Sequence, residues 1–82
     1  MNVETEIKAI VEHIDGLPKK DRIIVLDYLE HREWGIALEH LCATISEENI
    51  QISEPIFHLI KDVSTHMKIW EGIRDEIIDL VK

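Results

Sequence analysis

The sequence predicts an all-α fold, a small single-domain bundle of four to five helices. Three observations support this class: apolar residues recur mainly at helical spacing, no segment has a convincing strand pattern, and 82 residues suffice for one modest core. The only cysteine, Cys42, can form no intrachain disulfide. Apolar packing must therefore hold the fold together.

The first two predicted helices are separated by a turn at residues 15–18. The helical spacing of the first is carried by Val3, Ile7, Ile10, Val11 and Ile14. The second helix begins with the charged residues 19–22 and ends near His31, where only Gly35 marks a break. Because glycine has no Cβ, we expect Gly35 to let the second and third helices approach at this corner.

The second half of the chain predicts up to three further helices. Apolar spacing from Trp34 onward predicts the third helix, and the alternating residues 48–53 predict an extended linker. Ser53 is a good N-cap for the fourth helix, and Pro55 fits its first turn, where the missing N–H costs nothing. Residues 69–81 keep helical spacing and predict a fifth helix. Its apolar seam would comprise Trp70, Ile73, Ile77 and Leu80.

The charge balance narrows the classes of partner. Seventeen acidic residues against nine basic ones give a net charge of -8, which disfavours binding to nucleic acid or to anionic lipid. Such acidity often serves solubility alone, and a basic protein partner is the more specific alternative. No apolar run is long enough to span a membrane, and MNVETEIK lacks the basic and then apolar order of a signal peptide. We expect a cytoplasmic protein.

The chemistry-bearing residues form no pattern of a catalytic or metal centre. None of the five histidines has an acidic residue three positions before it, which excludes a Glu-x-x-His di-iron site, and His-Glu-x-x-His is absent. A spacing of four residues relates Glu54, His58, Asp62 and His66. This spacing fits a solvated charged stripe better than a partner face or a metal site. Three scattered glycines provide neither an oxyanion hole nor a phosphate loop. We predict a non-enzyme with no metal and no cofactor.

Residues 28–39, YLEHREWGIALE, followed by IQIS at residues 50–53, resemble the MafI-type immunity proteins of bacterial polymorphic-toxin and contact-dependent growth inhibition systems. In that family a helix ends in a short corner of the form hxEY/WGxALE, a second helix follows, and an I-x-I-S/T linker leads into the next helix. The similarity covers roughly residues 17–67. Two features depart from the pattern: Arg32 stands where a small or turn-favouring residue is usual, and the chain continues past Met67 into another helix.

The resemblance implies a protein that binds and neutralises a cognate toxin domain in a 1:1 complex. A nuclease toxin must bind phosphate, so we expect a basic cleft on the toxin that an acidic protein masks. The predicted contact residues are Glu30, Glu33, Trp34 and Glu39, with Asp75, Glu76 and Asp79 as a second acidic patch. Trp34 anchors the partner in this hypothesis, whereas its alternative place is the core. The alternative function is a self-associating structural or regulatory module, a weak homodimer paired through the C-terminal seam.

Overall fold

Five α-helices and one short 3-10 helix make up the computed structural model, which describes residues 1–82. The α-helices are α1 (Val3–His13), α2 (Lys19–Glu30), α3 (Trp34–Glu47), α4 (Glu54–His66) and α5 (Trp70–Ile77), and the 3-10 helix spans Ile78–Leu80. The predicted all-α class is confirmed. No helix combines the length and the apolar character that crossing a membrane would require.

Side-chain caps begin two of the helices. Asn2 Oδ1 accepts a hydrogen bond from the Thr5 N–H at 3.0 Å at the start of α1. At the start of α4, Ser53 Oγ accepts from the Ile56 N–H at 3.4 Å, and Pro55 lies in the first turn. The prediction of Ser53 as N-cap is therefore confirmed, and each cap satisfies one of the amide groups that a helix leaves unpaired.

Three helices end with a residue in the left-handed conformation. These residues are Arg32 (φ 59°), Asn49 (φ 55°) and Lys68 (φ 64°), after α2, α3 and α4 respectively. The following amide closes the end, as where the Glu33 N–H donates to the Tyr28 carbonyl at 2.9 Å. This is the Schellman arrangement, in which glycine is the usual left-handed residue.

The corner between α2 and α3 is therefore formed by Arg32, and Gly35 does not produce it. A Cβ added to Gly35 would meet only Met67 Cε, at an ordinary contact distance of 3.7 Å. The prediction that Gly35 lets α2 and α3 approach was wrong, because its missing Cβ faces the end of α4. The two helices nevertheless pack together extensively.

The central helix is α3, which packs against α2 on one side and α5 on another, while α1 pairs with α4. Twenty buried apolar residues form one continuous core. The predicted C-terminal seam belongs to this core: Ile73 and Ile77 are 2% and 0% exposed, and Leu80 is 9% exposed. Trp70 is partly buried and meets the Phe57 ring edge to face at 5.7 Å. The seam side chains therefore pack within the chain, and they leave little exposed surface for the pairing with a second copy that the alternative hypothesis assigned to them.

The last predicted helix is shorter than its sequence spacing suggested. After α5 and the 3-10 helix, Val81 becomes extended and forms an isolated parallel β-bridge with Ile52. The Ile52 N–H donates to the Leu80 carbonyl, and the Lys82 N–H donates to the Ile52 carbonyl, both at 2.9 Å. These two bonds fix the linker before α4 to the end of the chain.

Candidate partner-binding surface

Two carboxylates of α3, Glu39 and Glu47, act electrostatically on Glu76 of α5, and we call these three residues the acidic cluster. Glu39 and Glu47 are about 12 Å apart along α3, so each acts on Glu76 more than on the other. Burial raises the pKa of Glu76, and the negative charges of Glu39 and Glu47 raise it further. None of the three takes part in any of the four ion pairs of the structure. The cluster therefore carries repelling charges that the chain itself does not neutralise.

Two residues of the acidic cluster also affect the pKa of Cys42, which is buried in α3. Burial raises the pKa of the Cys42 thiol, and the charges of Glu76 and Glu39 add to this effect. Since a cysteine reacts as its thiolate, these surroundings make the thiol unreactive. Cys42 is a small core residue on the buried side of α3.

We expect Glu76→Gln to raise the free energy of unfolding by roughly 0.3–0.5 kcal/mol near neutral pH, because glutamine removes the repulsion at an accessible site. Since folding raises the pKa of Glu76, the folded state binds this proton more tightly than the unfolded chain. The destabilising contribution is therefore absent below the ordinary pKa of 4.5 and develops as the pH rises through the folded-state pKa. Urea unfolding across this pH range measures the effect.

The matched control for that substitution is Glu12→Gln, at an exposed acidic residue of α1. It removes the same charge without relieving the cluster, so the gain for Glu76→Gln must exceed the gain for the control. Equal gains at every pH would mean that only the net charge matters.

A second group of acids surrounds the corner between α2 and α3. Glu30 and Glu33 are exposed, and both raise the pKa of His31. The largest contribution to this rise is the hydrogen bond of His31 Nδ1 with the Asp27 carbonyl, at 2.9 Å, followed by the negative charge of Asp27. The negative charges of Asp27, Glu33 and Glu30 thus all act on His31 at the corner.

Trp34 lies at the start of α3 with its ring partly buried against the core. Its Nε1 is enclosed and makes no hydrogen bond. The large apolar side chain that the first turn of α3 does expose is Ile36, which is 48% exposed. Sequence reasoning counted Ile36 only as part of the apolar spacing of this helix. An apolar residue outside the buried stripe was the available signal.

The acids predicted on the last helix do not form one patch. Glu76 joins Glu39, whereas Asp75 is exposed and lies 3.6 Å from the guanidinium of Arg74, its neighbour in the chain. Asp79 is exposed on the 3-10 helix. Glu47 was not predicted as a contact residue, although it lies two turns after Glu39 on the same helix. Only the packing of α5 against α3 identifies it.

The polar residues outside these groups have structural or solvated positions. The four members of the α4 stripe are exposed, and no group of three or more His, Cys, Asp or Glu residues is arranged to hold a metal ion. Between α2 and α3, the Asp21 carboxylate lies 3.0 Å from His40 Nε2 and accepts a hydrogen bond from Thr44 Oγ1 at 3.3 Å. The hydroxyl is bonded to the carboxylate and not to the imidazole, so this trio is no nucleophile and base pair. Sequence reasoning missed it.

Comparisons with protein-family models, with curated proteins and with solved structures found no match for this chain. The resemblance to MafI-type immunity proteins therefore stays a prediction. Two acidic surfaces are the candidate sites for binding a partner: the acidic cluster on α3 and α5, and the acids at the corner.

Proposed function

We propose that this protein is an immunity protein that binds and neutralises a cognate bacterial toxin domain in contact-dependent growth inhibition or a similar system. The observation that supports this proposal most is the acidic cluster of Glu39, Glu47 and Glu76, which has no basic partner within the chain. Lysine or arginine side chains of a basic partner would supply the missing charges.

Charge complementarity between this protein and a basic partner supports the proposal. Like charges held together by folding cost free energy, and bringing cationic groups to them on binding removes that cost. The corner acids Glu30 and Glu33 extend the negative potential, and the net charge of -8 steers a basic partner toward the protein. Ile36 offers apolar contact beside this charge.

The mechanism is stoichiometric masking of the toxin in the cytoplasm. A toxin that cuts nucleic acid needs a basic active-site cleft, and an acidic surface occupying that cleft blocks the substrate. Glu39 and Glu76 provide contact from the acidic cluster, and the exposed Asp75 and Asp79 provide separate acidic contacts. Trp34 contributes through the part of its ring that is not buried. No chemical step is required of this chain.

The test combines co-purification with the toxin domain encoded immediately upstream and an assay of that domain's nuclease activity. We expect a tight 1:1 complex and loss of nuclease activity. A triple variant, Glu39→Gln, Glu47→Gln and Glu76→Gln, should weaken binding about 100-fold, at roughly 1 kcal/mol for each charge lost from the interface. Titration calorimetry measures this change.

The matched control removes three exposed acids elsewhere: Glu12→Gln, Asp15→Asn and Asp62→Asn. It has the same net charge as the cluster variant, so it separates local contact from long-range attraction. Equal losses in both variants would refute the acidic cluster as the contact surface. A toxin domain that neither binds this protein nor loses activity would refute the immunity function.

A further inference from the structure

Helix α2 exposes two large apolar side chains that are consecutive in the chain. Ile23 is 57% exposed and Ile24 is 38% exposed, and they are two of only five large hydrophobic residues exposed in the whole chain. Single exposed apolar residues are ordinary, but Ile23 lies on the same side of α2 as the half-buried Leu26, and together they leave apolar surface that a partner can bury.

The position of these residues follows from helical geometry. The buried stripe of α2 comprises Asp21, Val25 and Leu29. At about 100° per residue, Ile23, Asp27 and Glu30 lie on the opposite side of the helix. Leu26 joins these three in lining a shallow depression of about 250 Å³. The surface is thus a ridge beside a shallow depression, which can accommodate the side chains of another helix.

Charge is ordered along this surface. We define the α2 outer face as Lys19, Lys20, Ile23, Ile24, Asp27 and Glu30. The first turn is basic, the middle is apolar and the last turn is acidic. The two lysines and Glu30 form no ion pair, and Asp27 reaches only His31, at 3.8 Å, with both side chains about two thirds exposed. Its charges are therefore available to a partner.

We propose that the α2 outer face binds the same face of a second copy of this chain, with the two α2 helices antiparallel about a two-fold axis. In that arrangement the lysines of one copy lie beside Asp27 and Glu30 of the other, and the isoleucines meet between them. A two-fold interface requires a self-complementary surface, and the order basic, apolar, acidic meets that requirement only when the helices run antiparallel.

A second copy fits this face better than a uniformly basic or acidic partner does. A uniformly basic helix would place positive charge against Lys19 and Lys20, and an acidic helix would place negative charge against Asp27 and Glu30. The contact of one helix face is below the roughly 1,200 Å² of a stable interface, so the dimer is weak and exchanges rapidly. The pairing involves no residue of the acidic cluster, and it shares only Glu30 with the corner acids that are proposed to face the toxin.

Sedimentation equilibrium of the full chain, from micromolar to millimolar concentration, tests the proposal with a charge swap. One variant carries Lys19→Glu and Lys20→Glu, and the other carries Asp27→Lys and Glu30→Lys. We expect the wild type to dimerise, each variant alone to lose at least about tenfold in dimerisation constant, and their equimolar mixture to recover association. One variant places negative charges at the N-terminus of α2, and the other places positive charges near its C-terminus. The helix dipole favours both changes, so α2 is retained.

Two further variants separate this contact from general surface effects. Ile23→Ser removes the apolar centre and should weaken dimerisation, whereas Ile36→Ser, at an exposed isoleucine of α3, should leave it unchanged. A wild type that stays monomeric at millimolar concentration would overturn the proposal. So would swap variants whose mixture associates no better than either alone.

Discussion

Leu41→Ala is expected to lower the free energy of unfolding by about 2–5 kcal/mol. Leu41 is 0% exposed and lies in α3, the helix against which both α2 and α5 pack. The lost side chain leaves a cavity that a packed core fills only in part. For a domain of this size the free energy of unfolding is about 4–12 kcal/mol, so the substitution removes a large share of the stability.

Urea unfolding followed by far-ultraviolet circular dichroism measures the change. The matched control is Ile36→Ala on the same helix, where the side chain is 48% exposed. We expect a loss of about 0.5 kcal/mol or less for the control. Comparable losses in the two variants would contradict the placement of Leu41 at the centre of the core.

Asp21→Ala is expected to destabilise the protein by about 1–3 kcal/mol. The Asp21 carboxylate is 9% exposed and is the shared partner of His40 and Thr44, which belong to the next helix. Alanine removes both hydrogen bonds, although the Thr44 hydroxyl keeps its bond to the His40 carbonyl, at 3.0 Å, and the His40 side chain is 30% exposed. The expected loss is therefore that of hydrogen bonds to a charged group, partly offset by these alternatives.

Asp27→Ala is the control for this second substitution. Asp27 lies on the same helix, but its side chain is exposed and its only ion pair is with the exposed His31. We expect a loss below about 0.5 kcal/mol. If Thr44→Val and Asp21→Ala prove additive in a double-mutant cycle, the hydroxyl and the carboxylate are not coupled and the network does not join α2 to α3.

These core contacts determine the functional surfaces as well. The packing of α5 against α3 brings Glu76 to Glu39, and the packing of α2 against α3 turns the α2 outer face away from the core. Binding measured for a destabilised variant therefore includes a loss of folded protein. The glutamine substitutions in the acidic cluster avoid this difficulty, because they relieve repulsion.

The two proposed surfaces can be tested separately. The acidic cluster lies on α3 and α5, whereas the charged and apolar residues of the α2 outer face lie on α2 alone. The variant with Lys19→Glu and Lys20→Glu should weaken self-association at least about tenfold and leave toxin binding intact. Removing the charges of the acidic cluster should weaken toxin binding and leave self-association intact. Toxin binding that is lost together with self-association would mean that the paired form is the inhibitor.

The sequence alone determined the all-α class and most helix limits, because these depend on interactions within a few residues. Apolar spacing predicted α1 to α4, and the Ser53 cap with Pro55 marked the start of α4 to within one residue. The burial of Cys42 follows from a local property as well, because it lies on the apolar side of an amphipathic helix. Local chemistry did not reveal the corner at Arg32, since arginine is not the residue that a left-handed helix end usually contains.

Only the tertiary structure decided what each helix face meets. An apolar stripe shows that a face is buried, but it does not show against what. The seam of Ile73 and Ile77 was compatible with pairing to a second copy, and in the structure it completes the core. Glu39 and Glu76 are 37 residues apart in sequence, and only the contact of α3 with α5 unites them. The same holds for Asp21 and its partners on α3. Candidate sites formed between helices depend on packing, which the spacing of residues along one helix does not specify.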